Sequence, residues 1–232
     1  MKIGYFLDFH LNLLEEIKFA KENFDFIEIT FDYGIKVNNE EIEKASKLLE
    51  DFLVIGHFNW NLEPEKDYKE IENSIKIFKK FKAKYMVIHP KNYLSSEENI
   101  SFLNSLKNKT ILIENMSETY GKSEAIKQLL EKTKLNLCLD IGHAGKTNEL
   151  ENFLKLKDKI KHIHLHYNID KKDHLFFTDE SKLKEILFKI KELNATVSLE
   201  MFKDTEKILN PEERKRLLLI EKNKIRKLLQ RL

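Results

Sequence analysis

The sequence predicts a closed (β/α)8 barrel, a TIM barrel of the α/β class, formed by a single domain over residues 1–232. Eight short runs of apolar, β-branched and aromatic residues alternate with charged segments of helical spacing. Most runs are apolar almost throughout, which is typical of strands buried on both faces of a parallel sheet. Because crossovers between parallel strands are right-handed, eightfold alternation of strand and helix favours closure.

The predicted strands occupy residues 2–9, 24–31, 52–58, 84–90, 110–116, 135–143, 162–168 and 195–202. The intervening segments have apolar residues at helical spacing, as at Ile42, Ala45 and Leu49. The last helix is expected to begin at Pro211, after the capping residue Asn210. A doubly wound open sheet is the alternative fold, but no glycine-rich phosphate-binding motif follows the first run.

Composition and charge indicate a soluble globular protein. Hydrophobic residues make up 41% of the chain, charged residues 34%, and the net charge of +2 gives no case for nucleic-acid binding. The single cysteine, Cys138, excludes an internal disulfide and is expected to face the helix layer as a small hydrophobe. No apolar stretch approaches the roughly 18 residues of a membrane span, and the N-terminus lacks a secretion signal. A cytoplasmic location without a membrane partner is therefore expected.

Groups able to bind a metal recur where the predicted strands end. Because the carboxyl ends of all barrel strands meet at one mouth, residues remote in sequence should converge there. Buried carboxylates are costly unless they are neutralised, and one divalent cation neutralises several. Mixed imidazole and carboxylate ligation suits Zn, Mn, Fe or Co better than Ca or Mg alone. A divalent metal ion is therefore expected, with Zn, Mn, Co and Mg as candidates. The residues at these late positions are Asp8, His10, Glu28, His57, His89, Glu114, Asp140, His143, His164 and Glu200.

Strand alternation adds a prediction about the histidines of the seventh run. His162, His164 and His166 share one face of that strand, so all three could point into the barrel at different depths. Glu28 is expected to orient a neighbouring group or bind water as readily as it would ligate a metal.

Four motifs resemble the xylose-isomerase-like barrel superfamily, which contains sugar isomerases and epimerases together with endonuclease IV. They are Ile113-Glu114-Asn115-Met116, Leu139-Asp140-Ile141-Gly142-His143-Ala144, the run around His164, and Leu199-Glu200. By this resemblance, Glu114, Asp140, His164 and Glu200 hold one divalent ion, and Glu114 and Glu200 also serve as catalytic acid and base. The resemblance thus implies a sugar or sugar-phosphate isomerase or epimerase that transfers a proton through a metal-stabilised enediolate.

Endonuclease IV supplies the alternative function, zinc-dependent cleavage of DNA at abasic sites. His57, His89, His143 and His174 resemble its additional zinc ligands, and under the sugar hypothesis they would bind a further metal or the substrate. The nuclease pattern has an aspartate two residues before the histidine that matches His174, where this chain has Lys172. A third class, a barrel that only binds a ligand, is disfavoured because all four metal ligands are retained.

Overall fold

Parallel strands close into a barrel in the computed structural model, which describes residues 1–7, 12–30, 38–59, 62, 67–89, 97–106, 110–117, 121–169, 172–203 and 209–232. The barrel strands are β1 (Lys2–Phe6), β2 (Phe26–Thr30), β3 (Leu53–His57), β4 (Tyr85–Ile88), β5 (Ile111–Glu114), β6 (Asn136–Asp140), β7 (Ile160–Leu165) and β10 (Thr196–Leu199). A separate hairpin comprises β8 (Tyr167–Ile169) and β9 (Lys172–Leu175). The helices are α1 (Leu13–Asn23), α2 (Asn39–Leu48), α3 (Tyr68–Lys80), α4 (Glu97–Ser105), α5 (Ser123–Thr133), α6 (Ile141–Lys146), α7 (Leu150–Leu154), α8 (Glu180–Ile190) and α9 (Pro211–Leu229). No helix within these ranges is long and apolar enough to cross a membrane.

The strand order confirms the predicted barrel. The strands follow one another as β1-β10-β7-β6-β5-β4-β3-β2, and β1 pairs in parallel with both β10 and β2, which closes the sheet. Each of the eight predicted runs supplies one barrel strand. The register places Asp140 of β6 directly beside His164 of β7, and His164 beside Ser198 of β10. Residues from separate parts of the chain are thereby fixed as neighbours at one end of the barrel.

Two predicted strands extend into residues that belong to other elements in the structure. The run 135–143 is a strand only as far as Asp140, because its side chain accepts a hydrogen bond of 2.6 Å from the backbone N–H of His143 and caps α6. His143 therefore lies on a helix rather than at a strand end. The run 162–168 is strand up to Leu165, and the hairpin β8–β9 that follows was not predicted. Asp8 and His10 lie outside the described residues.

The interior of the barrel contains Cys138, and the prediction that this residue faces the helix layer is wrong. Cys138 packs with Phe26, Ile55, Val87 and Leu112 in a small buried cluster separate from the main core. Side chains two apart on a strand share a face, so Cys138 must point to the same side of β6 as Asp140. This apolar cluster fills the barrel interior below the polar residues at the strand ends.

The first turn of helix α9 packs against the ends of the neighbouring strands β1 and β10 at the mouth of the barrel. Asn210 caps it as predicted, with its side chain accepting from the backbone N–H of Glu213 at 2.9 Å. Arg214, in the first turn, is buried and donates from Nε to the carbonyl of Met201 at 2.8 Å. It also donates from Nη2 to the carbonyl of Phe6 at 2.7 Å. A buried guanidinium thus satisfies backbone acceptors at the ends of β1 and β10.

Candidate metal centre

Four side chains from four adjacent or nearby strands converge at the carboxyl-terminal mouth. Glu114 and Asp140 are the last residues of β5 and β6, His164 lies near the end of β7, and Glu200 directly follows β10. One potential ligand atom from each lies within 4.8 Å of the others, and all four residues are buried. We call these residues the central cluster. The structure brings together the four residues that the resemblance selects as metal ligands.

The orientation of the atoms in the central cluster suits a shared cation. Nδ1 of His164 lies 3.0 Å from Oε2 of Glu200, 3.4 Å from Oε2 of Glu114 and 3.9 Å from Oδ2 of Asp140. Nevertheless, within the described part of the chain neither Nδ1 of His164 nor Oε2 of Glu200 has a hydrogen-bond partner. Buried polar atoms normally have one. Unpaired nitrogen and oxygen lone pairs that approach a common point are the donor set that Zn or Mn accepts.

Two carboxylates of the central cluster, Glu114 and Glu200, have a lowered pKa. Burial by itself would raise the pKa of Glu114, but His164 and His89 lower it well below its usual value. Burial opposes ionisation of Glu200 as well, and His164 and His174 lower the pKa of that carboxyl in the same way. Ionised carboxylates are required both for coordinating a cation and for accepting a proton.

His57 and His89 form a second group with Glu114, which we call the His57 cluster. His57 donates from Nε2 to Oε2 of Glu114 at 3.2 Å, and Nε2 of His89 lies 3.2 Å from the same oxygen. Ligand atoms of the three buried residues lie within 4.8 Å of one another. Glu114 therefore belongs to both groups, and its carboxylate lies between them.

A third group, the His143 cluster, comprises His143, His166, Asp173 and His174. Oδ1 of Asp173 lies 3.3 Å from Nδ1 of His166 and 3.5 Å from Nδ1 of His174, and its Oδ2 lies 3.6 Å from Nε2 of His143. Although Lys172 stands where the nuclease pattern has an aspartate, His174 still has a carboxylate neighbour in Asp173. His174 has a φ of 57°. This left-handed conformation interrupts the alternation of β9, so consecutive residues both contact the cluster.

Three residues of the site, His166, Asp173 and Asn115, were not predicted as site residues from the sequence. His166 donates from Nε2 to Oδ2 of Asp140 at 2.9 Å. Asn115 pairs with the backbone of Asp140, accepting from its N–H at 2.7 Å and donating to its carbonyl at 2.9 Å. The available signals were the shared strand face for His166 and the position of Asn115 directly after Glu114. His166 and Asn115 both hold Asp140 in place.

A cavity of about 460 Å³ opens above the three clusters, within the range of roughly 300–1,000 Å³ that is usual for small-molecule sites. Its wall combines apolar and polar side chains, which suits a small polar molecule with a carbon skeleton. Glu114 and Glu200 both reach this cavity. The lining residues are Phe6, Thr30, His57, His89, Glu114, Met116, His143, His174, Glu200, Phe202 and Lys203.

The fold and the clustered ligands define a (β/α)8 barrel protein with a candidate metal centre at the carboxyl ends of its strands. The model of the xylose isomerase-like TIM barrel family matches residues 17–222. The chain belongs to this family. Over 231 residues it is 27% identical to the uncharacterized protein MJ1614 of Methanocaldococcus jannaschii, with 87% of this chain and 92% of that protein covered.

Solved structures with the same fold include several sugar epimerases. A D-tagatose 3-epimerase-like protein superposes with a TM-score of 0.65 at 20% identity, covering 100% of this chain and 99% of the other. The 3-keto-D-glucoside 4-epimerase YcjR of E. coli has a TM-score of 0.68 at 16% identity, covering 98% and 99%. A D-psicose 3-epimerase, crystallised with D-fructose, has a TM-score of 0.65 at 12% identity and covers 99% of each chain. At these identities the similarity establishes the fold.

Proposed function

We propose that the protein is a divalent-metal-dependent isomerase or epimerase of a small sugar or sugar phosphate. The observation that carries this proposal is the central cluster, in which three carboxylates and one imidazole converge beside a cavity of suitable size. The epimerases among the solved structures of this fold support the same class of reaction. Glu114, Asp140, His164 and Glu200 would hold the ion, with Zn, Mn, Co and Mg as the candidate metals.

Glu114 and Glu200 are proposed as the proton carriers. When bound, a divalent cation polarises a carbonyl group and makes the proton on the adjacent carbon more acidic. Both glutamates end at the same cavity but come from β5 and from the residue after β10. One carboxylate would remove the proton, and the other would return a proton to the opposite face of that carbon. Return to the opposite face inverts the carbon centre, whereas proton movement between neighbouring carbons isomerises the sugar.

The surrounding walls would orient the substrate. Phe6 and Phe202 contact each other edge to face, with ring centroids 5.6 Å apart, and line the cavity as apolar surfaces. His143 and His174 also line it and have ring nitrogens that can bind substrate hydroxyl groups. Lys203 supplies a cation in the wall, which would favour a substrate that carries a phosphate.

Hydrogen isotope exchange tests this function even when the product has not been identified. The metal-loaded protein would be incubated in D2O with a panel of ketoses and ketose phosphates, and deuterium uptake at carbon would be measured by mass spectrometry. Glu114→Gln and Glu200→Gln should each slow exchange by about 10²–10⁴-fold, because each removes a proton carrier. Glu221→Gln is a matched control, since Glu221 is a buried carboxylate on α9 outside the site. Exchange at the wild-type rate in both site variants would refute the assignment.

A second candidate function is hydrolysis of a phosphodiester in DNA at abasic sites. It is favoured by one specific observation, the presence of the His57 cluster and the His143 cluster on either side of the central cluster. Glu114 belongs to both the His57 cluster and the central cluster, and two neighbouring ions can stabilise the attacking and leaving oxygens of a phosphodiester. Elemental analysis distinguishes the two functions, because one ion per chain favours the sugar enzyme and two or three zinc ions favour the nuclease. Cleavage of an abasic-site oligonucleotide that is lost in Glu114→Gln would establish the second candidate.

A further inference from the structure

A buried hydrogen-bonded chain lies directly beneath the central cluster. Glu28 of β2 is fully buried, and each of its two carboxylate oxygens contacts a different histidine. Its Oε1 lies 2.9 Å from Nε2 of His164, and its Oε2 lies 2.9 Å from Nε2 of His162. Nδ1 of His162 lies 2.7 Å from Oγ1 of Thr196. Four residues on β2, β7 and β10 are joined in this way.

This series of hydrogen bonds determines which ring nitrogen of His164 faces the candidate metal centre. A carboxylate accepts hydrogen bonds, so the Nε2 atoms of both His162 and His164 must carry the hydrogen. Nε2 of His164 therefore keeps its hydrogen, and Nδ1 is the nitrogen that offers a lone pair when a cation binds. That nitrogen is the one directed at Glu200 and Glu114, and it has no hydrogen-bond partner in the described part of the chain. Glu28 thus determines that Nε2 is the ring nitrogen of His164 that keeps its hydrogen.

The other hydrogen bonds in this series are consistent with the same placement of the ring hydrogens. With Nε2 of His162 donating to Glu28, Nδ1 of His162 accepts from the hydroxyl of Thr196. Glu28 is absent from the residues that line the cavity, so it does not reach a substrate there. Both of its oxygens are already engaged by histidine N–H groups. Glu28 is therefore better suited to hold a ligand than to be one.

We infer that Glu28 is a positioning residue that fixes His164 as an Nδ1 ligand, and that His162 and Thr196 hold Glu28 in turn. The inference rests on the metal centre of the proposed function. Metal-binding histidines commonly donate their other ring nitrogen to a carboxylate, which fixes the ring and increases its basicity. Loss of such a partner typically weakens metal binding by about 10–100-fold.

The test compares Glu28→Gln with a control that loses a different buried carboxylate. Glutamine keeps the shape of the side chain but has one accepting oxygen, so one of the two histidines loses its acceptor. Glu16→Gln is the control, because Glu16 is buried on α1, where it contacts Tyr5 and Lys215 rather than the site. The Kd for Zn²⁺ or Co²⁺ would be measured on the full chain, stripped of metal, by competition with a chromophoric chelator.

We expect Glu28→Gln to raise the Kd by roughly 10–100-fold, and Glu16→Gln to leave it within about threefold because it lies away from the ligands. The absorption of the Co²⁺ complex should change in Glu28→Gln alone. Equal Kd values in the two variants would overturn the inference.

Ring ¹⁵N NMR of the wild-type protein provides a readout that needs no variant and no activity. Nε2 of His164 should be protonated both with and without metal, and the Nδ1 signal should shift when metal is added. An unprotonated Nε2, or a metal shift at Nε2, would overturn the inference even if Glu28→Gln fails to fold. If the wild-type protein binds no metal, the proposed function fails separately, and the ring signals of the metal-free protein decide the inference.

Discussion

Gly142 and Gly145 lie on the same short helix, α6, and differ sharply in their surroundings. A Cβ atom at Gly142 would lie 2.0 Å from Cε1 and 2.3 Å from Nδ1 of the His166 ring, whereas a Cβ at Gly145 meets nothing within 4 Å. The His166 ring has little freedom to yield. It hydrogen-bonds to Asp140 and Asn168, each at 2.9 Å, and stacks on another imidazole of the His143 cluster.

The substitution Gly142→Ala should therefore be costly. Ordinary carbon contact needs about 3.5–4.0 Å, so the ring of His166 would have to retreat by roughly 1.5 Å. Overpacking of this kind costs about 1–3 kcal/mol, and breaking the hydrogen bond to the Asp140 carboxylate adds about 1.5–3 kcal/mol. Alanine recovers about 0.5–1 kcal/mol through its better helix propensity. We expect a net loss of about 1.5–5.5 kcal/mol in the free energy of unfolding.

Urea unfolding of the metal-free protein, followed by circular dichroism, measures this effect. Gly145→Ala is the matched control and should be neutral or stabilising by up to about 1 kcal/mol. Since the displaced ring also contacts Asp140, Gly142→Ala should weaken metal binding, whereas Gly145→Ala should not. If the two variants had the same urea midpoint and the same metal affinity, close packing of His166 against α6 would be refuted.

Three further predictions concern metal binding, a buried cation and pH. Adding metal to the metal-free protein at 100 times its Kd should contribute about 2.7 kcal/mol, or roughly 5–10 °C in Tm by differential scanning fluorimetry; an equal shift in Asp140→Asn would contradict the proposed ligands. Arg214→Leu should lower the free energy of unfolding in urea by about 2–4 kcal/mol, because two buried backbone carbonyls lose their donor. Arg216→Leu, exposed on the same helix, should change it by less than about 0.5 kcal/mol. Burial opposes protonation of His143, but Asp140 and Asp173 raise its pKa to about 10. In metal-free protein its stabilising contribution should be complete below about pH 6.5 and be lost as pH rises toward 10, so the stability difference between wild type and His143→Gln should shrink over that interval. If the stability difference instead grew with pH, the pKa of His143 would be lowered on folding and not raised.

The barrel was predictable because its signals are local. Apolar runs of strand length alternated with amphipathic segments, and this pattern depends on burial alone. The capping of α9 by Asn210 was equally local, since a side chain need only reach a backbone N–H three residues away. The boundary at Asp140 was missed because the same residue closes a strand and caps a helix. Apolar character continues across that boundary, at Ile141.

The face of Cys138 was predictable in principle, since it shares the alternation of Asp140 on β6. The prediction was wrong because a small apolar residue fits either layer, and its residue type alone does not distinguish the barrel interior from the helix layer.

The carboxylate of the His143 cluster raises a different problem. Asp173 is one residue out of register with the nuclease motif, and the left-handed backbone at His174 nonetheless brings both side chains to the cluster.

By itself, the sequence determined the fold class and which strand ends carry groups able to bind a metal, because hydrophobic periodicity and residue chemistry are properties of short segments. Tertiary structure decided which of those groups meet. Strand register and barrel closure bring Glu28 within hydrogen-bond distance of His162 and His164, more than a hundred residues away. They also set which nitrogen of His164 faces the carboxylates. Distances between side chains on different strands follow from the closed sheet as a whole, and no single segment encodes them.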